Sequence, residues 1–137
     1  MEKPVYAIEN HLAPSEFRQI LLESTLGERR PVDNPERLKQ MVENASIIVT
    51  ARVDGHLVGI SRAVSDFSYC TYLSDLAVHR DYQHKGIGKE LIRRTKLAAP
   101  TAKLILLSAP AAVDYYPKIG MVRHEHCYFM DNIDQIK

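Results

Sequence analysis

Gln83-His84-Lys85-Gly86-Ile87-Gly88, directly after the mostly apolar run Tyr72-Leu73-Ser74-Asp75-Leu76-Ala77-Val78, sets a glycine-punctuated basic turn between an expected strand and an expected helix. Such a turn exposes backbone N–H groups to an anion at a helix N-terminus. Ile87, Leu91, Ile92, Thr95 and Ala98 recur at spacings that put one face of a helix in a core, while Lys89, Arg93, Arg94 and Lys96 fall mostly on its wet side. Gly86 and Gly88 let the backbone approach a phosphate, and Lys85 and Lys89 supply charge. Two familiar phosphate loops fit poorly. A P-loop closes on Gly-Lys-Ser/Thr, but Gly88-Lys89 is followed by Glu90; a dinucleotide fingerprint needs three glycines near the start of a βαβ unit, and only two stand here, deep in the chain.

Outward from the loop, the pattern predicts strands over residues 5–8, 46–53, 56–64, 69–78, 103–108 and 121–130. Helices are expected to start at Pro14 and Pro35, near Gly86 and at Asp114, with Asn34 as an N-cap and an end near Asn44. Asp54-Gly55 is a hairpin signal. The resulting order, β-α-α-β-β-β-α-β-α-β, implies an α+β fold with a mixed central sheet. The 137 residues suit one domain, residues 1–137, with 45% hydrophobic and 26% charged side chains, the balance of a globular protein. Eighteen basic and seventeen acidic residues nearly cancel, which argues against nucleic acid as a partner. No apolar run approaches the roughly 20 residues of a membrane span, and the opening Met1-Glu2-Lys3-Pro4 has no apolar signal-like segment, so a cytoplasmic location and no membrane partner are expected. Cys70 and Cys127 are expected to be reduced and partly buried.

The loop resembles the pyrophosphate-binding motif Gln/Arg-x-x-Gly-x-Gly/Ala of the GNAT superfamily of N-acetyltransferases, with Gln83, Gly86 and Gly88 at its fixed positions. The later run Ala112-Val113-Asp114-Tyr115-Tyr116-Pro117-Lys118-Ile119-Gly120-Met121 is similar to that family's segment of Ala, a Tyr four residues on, and Gly-Phe. The resemblance implies the GNAT fold, a sheet of about six to seven strands flanked by helices, and acetyl-CoA as co-substrate without a metal. It further implies that Leu76, Ala77 and Val78 border the pantetheine arm and that the amides of His84, Lys85, Gly86, Ile87, Gly88 and Lys89 hold the pyrophosphate. The acceptor would be a small-molecule amine or a protein amino group, and a homodimer is open.

Acetyl transfer to an amine needs a neutral nucleophile, donors for an oxyanion and a proton for the departing thiolate. By its place in the motif, Tyr116 is the expected general acid. Asp75, on the strand expected to flank the thioester, is either the base or a residue turned to structure. Glu28, Arg29 and Arg30 lie in the loop that borders the acceptor in this family; the arginines suit a carboxylate or phosphate, and all three also read as surface charges. The family's frequent Asn seven residues before the tyrosine is replaced by Ala109, followed by Pro110, which leaves Ser108 as the expected substitute contact. His124-x-His126-Cys127 carries metal-ligand types, but on one strand alternation would separate the imidazoles from the thiol, so no metal site is expected. A rival reading is a GNAT-fold module that binds or senses an acyl-CoA without turnover.

Overall fold

The computed structural model describes residues 3–137. The chain forms two compact units, one ending at Leu107 and the other comprising Ser108–Lys137.

The larger unit is a five-stranded sheet with helices on both faces. Its elements are β1 (Val5–Ile8), α1 (Pro14–Glu23), α2 (Pro35–Glu43), β2 (Ile47–Val53), β3 (His56–Ser65), β4 (Cys70–Val78), α3 (Ile87–Ala98) and β5 (Lys103–Leu106). The strands lie in the order β1-β2-β3-β4-β5, with the first three junctions antiparallel and β4 parallel to β5. Local chemistry sets the boundaries. Pro14 and Pro35 open their helices, and the Asn34 side chain accepts the Arg37 N–H at 3.1 Å as an N-cap. Asp54 and Gly55 both take positive φ (50° and 80°), the primed-turn geometry whose twist matches the flanking strands.

One face of the sheet is covered by α1 and α2, where Phe17, Ile20, Leu21, Leu38 and Val42 pack on Ile48, Ile60 and Ala77. The other is covered by α3, through Ile87, Leu91, Ile92 and Thr95. The Thr95 hydroxyl sits 2.6 Å from that of Ser61, and a Cβ on Gly59 would lie 3.0 Å from Ile87 Cγ2, so glycine sets how closely the helix seats on β3. Among the described residues no helix is long and apolar enough to cross a membrane.

The sheet departs from the expected six to seven strands. Residues 121–130 form no strand, and Val122, Tyr128 and Phe129 are largely exposed: β-branched and aromatic composition favours a strand only where a partner strand and a covering face exist. The strand β5 ends at Leu106, short of the expected residue 108, and is half-buried, as suits its place at the end of the sheet. Both cysteines are free and exposed, not partly buried.

The smaller unit contains α4 (Tyr115–Lys118), a short 3-10 turn on either side of it in sequence, and irregular chain. Its helix ends at Lys118 with Ile119 as C-cap, and Gly120 follows at a φ of 101°.

Candidate functional site

The strand β5 accompanies β4 only from Cys70 to Leu73; β4 then runs on to Val78 with no partner strand on that side among the described residues. The direction of the free main chain follows from one hydrogen bond. His79 N–H donates to Val58 O at 2.8 Å, so the backbone groups of His79 face β3. Alternation turns Ala77 the same way and aims the N–H and C=O of Leu76 and Val78 at the open edge. The Gln83 side chain reaches this edge and donates Nε2–H to Val78 O at 3.1 Å. The main-chain groups of Leu76 and Val78 thus face this edge, with the Val78 carbonyl engaged by the first residue of the glycine motif.

From this edge the chain enters a 3-10 turn (Arg80–Tyr82) in which the Asp81 N–H is capped by His79 Nδ1 at 3.0 Å. Arg80 donates to the carbonyls of Glu23 and Leu22 at 3.2 and 3.1 Å, fastening the turn to the C-terminus of α1. His84 and Gly86 both adopt positive φ, 63° and 83°. Gly86 is the N-cap of α3 without a side-chain cap, and the N–H groups of a helix's first turn have no acceptor within the helix. A Cβ on Gly86 would meet nothing within 4 Å, so its dihedral, not crowding, calls for glycine. Lys85 Nζ stands 5.5 Å from the Tyr82 ring centre. The result is a cationic N-terminus with exposed His84, Lys85 and Lys89, electrostatically suited to a phosphate.

Upstream on β4 lies a bulge. The ladder to β3 pairs Ala63 with Leu73 and Arg62 with Asp75, so Ser74 is the extra residue. Asp75 is fully buried, and each of its carboxylate oxygens accepts from an arginine Nε, one from Arg30 and one from Arg62. Arg30 also donates to Ser74 O at 2.8 Å and Arg29 O at 2.9 Å; Arg62 donates to Ser74 Oγ and Met41 O, each at 3.1 Å. Asp75 is thus engaged by two charge-assisted bonds inside the protein, the arrangement of a residue turned to structure. Arg30 is likewise not a free fork for an acceptor carboxylate, since all three of its nitrogens are engaged within the protein. Glu28 and Arg29 remain exposed on the 3-10 turn Thr25–Arg29.

In the smaller unit, Tyr116 is half-buried beside Tyr115, with their rings edge to face at 5.3 Å. Burial, with a smaller contribution from Tyr115, raises the Tyr116 phenol above its ordinary value, so it stays protonated at neutral pH. The Ser108 hydroxyl donates to Ala109 O at 2.7 Å. His124 and His126 do not share a strand; their rings meet edge-on at 5.7 Å, with the His126 N–H on His124 Nδ1. Among the described residues no group of three or more His, Cys, Asp or Glu is placed to hold a metal.

Arg62 escaped the sequence reading. Its signal was a lone charge within the apolar strand His56–Ser65; the structure pairs it with Asp75 across the β3–β4 ladder.

Residues 27–137 match the family described as Acetyltransferase (GNAT) domain, a span that runs through both units. An uncharacterised N-acetyltransferase of Pyropia yezoensis is 29% identical over 103 residues, covering 69% of this chain and 57% of that protein; the chain thus spans little more than half the length of this curated relative. Among solved structures, a GNAT family acetyltransferase from Streptococcus pneumoniae TIGR4 superposes with a TM-score of 0.78 at 19% identity, covering 96% of this chain and 98% of that one. AAC(6')-Iy, in complex with the bisubstrate analogue CoA-S-monomethyl-acetylneamine, superposes with a TM-score of 0.73 at 13% identity, covering 96% and 99%. These structural likenesses establish the fold.

Proposed function

The chain belongs to the GNAT acetyltransferase family, and from that premise we propose that it transfers the acetyl group of acetyl-CoA to a primary amine by direct attack on the thioester, as one domain spanning residues 1–137. The observation that carries this reading is the open edge of β4 leading straight into the glycine turn at the α3 N-terminus. An extended arm can add to that edge through the N–H and C=O of Leu76 and the N–H of Val78. A pyrophosphate can then end on the amides of residues 84–89, with Lys85 and Lys89 adding charge. That AAC(6')-Iy holds a CoA adduct on the same fold supports coenzyme A as the carrier.

Tyr116 serves as the general acid. Its phenol is kept protonated by burial, and a departing thiolate, whose parent thiol has a pKa near ~8.5, draws the proton as charge develops on sulfur. Because Asp75 is held by two arginines, the amine proton leaves through water rather than to that carboxylate. The acceptor is a small-molecule amine or a protein amino group, with exposed Glu28 and Arg29 at its border.

The test is release of free thiol from acetyl-CoA against a panel of amines, together with calorimetric binding of acetyl-CoA. Tyr116→Phe should lower kcat by about 10²-fold or more while leaving acetyl-CoA affinity unchanged. Unchanged kcat would remove the acid assignment. Binding with no thiol release from any amine would favour a non-catalytic acyl-CoA-binding module instead.

A further inference from the structure

We propose that Arg30 is a positioning residue that joins the loop before α2 to the bulge of β4, so that the loop and the strand edge beyond the bulge are set as one body. Only the name of what that edge receives, the acetyl donor, rests on the function proposed above.

A bulge interrupts the ladder and leaves its extra residue without a cross-strand partner. Here that residue is Ser74, and the two arginines stand in for the missing partner: Arg30 takes its carbonyl and Arg62 its hydroxyl. Asp75, adjacent and fully buried, locks both guanidinium groups through their Nε atoms. The remaining donors reach outward in two directions. Arg30 binds its own loop at Arg29 O, and Arg62 binds the end of α2 at Met41 O. Every polar group in the cluster that is buried has a partner. Arg30 has 22% of its side chain exposed, while Asp75 has none, so Arg30 is the member that can be changed without opening the core.

An isolated buried ion pair is weak evidence of stabilisation, because apolar residues of the same volume often do as well. Connection is what the arginine supplies and an apolar residue would not. The long fork spans from the loop, where Val32 N–H donates to Arg30 O at 2.9 Å, to the carbonyl of the bulge 44 residues later. Displacing either end strains the other.

Amide exchange followed by NMR on the full chain tests this without any ligand. In Arg30→Gln the amides of Val32 and Asn34 in the loop, and those of Asp75 and Ala77 that face β3, should exchange faster together, by about tenfold or more, while α3 and β2 keep their wild-type rates. Arg30→Lys, whose single ammonium can keep Asp75 but cannot also span to Ser74 O in a fork, should recover the loop amides more than those of β4. Arg37→Gln, an exposed arginine on α2, should change neither. Faster exchange in the loop alone would overturn the proposal, and so would a uniform rise across the chain, which marks a general stabiliser. As a second readout, Arg30→Gln should weaken acetyl-CoA binding about threefold or more through the loosened edge, and unchanged affinity beside loosened β4 amides would overturn the functional half of the coupling. Failure of the unaltered chain to bind acetyl-CoA would refute the donor assignment while the exchange result is judged on its own.

Discussion

Replacing Gly86 separates a requirement of conformation from one of space. Gly86 sits at φ 83° and ψ 3° as the N-cap of α3, and a Cβ there would meet no atom within 4 Å. Gly86→Ala therefore adds no clash, and its cost is that of an L-residue held in the left-handed region, about 1–2 kcal/mol. Asparagine tolerates that region and is a favoured N-cap, so Gly86→Asn should lose less than half as much. Valine, stiff at χ1 and poorly tolerated at positive φ, should lose more than alanine. For a chain of this length 1 kcal/mol corresponds to about 3–5 °C, so alanine should lower Tm by about 3–10 °C, with the urea midpoint moving in step and the m-value constant. The order Gly, Asn, Ala, Val is the result to look for. Alanine matching glycine would mean that the turn relaxes to a negative φ, and a loss beyond about 4 kcal/mol would mean crowding; either refutes the reasoning.

Two further outcomes follow from packing and charge. Gly59→Ala would bring a Cβ to 3.0 Å from Ile87 Cγ2, an atom fixed to the first turn of α3, so it should destabilise by about 1–3 kcal/mol; urea unfolding should show the cost shrinking in an Ile87→Ala background, and a stable single variant would argue for a looser helix seat. Glu9 is held below the usual carboxylate range chiefly by its hydrogen bonds from Arg52, so its contribution is complete above that range and is lost as pH falls through the lowered value. Glu9→Gln should accordingly cost up to about 1 kcal/mol at pH 7, and the urea midpoints of variant and parent should converge as the pH falls below the lowered value; a gap that persists in acid would sink the assignment.

The elements legible in the sequence are those whose signals are local. Pro14, Asn34-Pro35 and Asp54-Gly55 act within their own turns, and the apolar spacing of α3 needs no knowledge of its partner. What failed depends on distant chain. Residues 121–130 have the composition of a strand but no ladder, and composition alone does not provide one. The bulge at Ser74 was hidden by its own effect. Thr71, Leu73, Asp75 and Ala77 are buried in unbroken alternation, as in a regular strand. Yet Leu73 lies opposite Ala63 on the α3 face, whereas Asp75 and Ala77 lie opposite Arg62 and Ile60 on the face of α1 and α2. The inserted residue swaps faces at the point where burial also changes sides, so the pattern shows no break. For the same reason Arg30 read as a loop charge: its partner is 45 residues away, and only the bulge brings Asp75 to that face.

The bulge also bears on why the sheet opens where it does. The last pair between β4 and β5 is Leu73 with Leu106, one residue before Ser74. A bulge bends its strand and increases the local twist, and among the described residues β4 beyond it is paired only to β3. A neighbour pairing on the other side would have to follow the same bend to stay in register; β5 instead ends with the regular part of β4. The opening beside Leu76 and Val78 is thus tied to a one-residue insertion, and that insertion is held by Arg30 and Arg62 through the bulge carbonyl, the bulge hydroxyl and Asp75. It follows that Asp75 acts on the open edge through the backbone: by fixing the bend, it sets which main-chain groups of β4 face that edge.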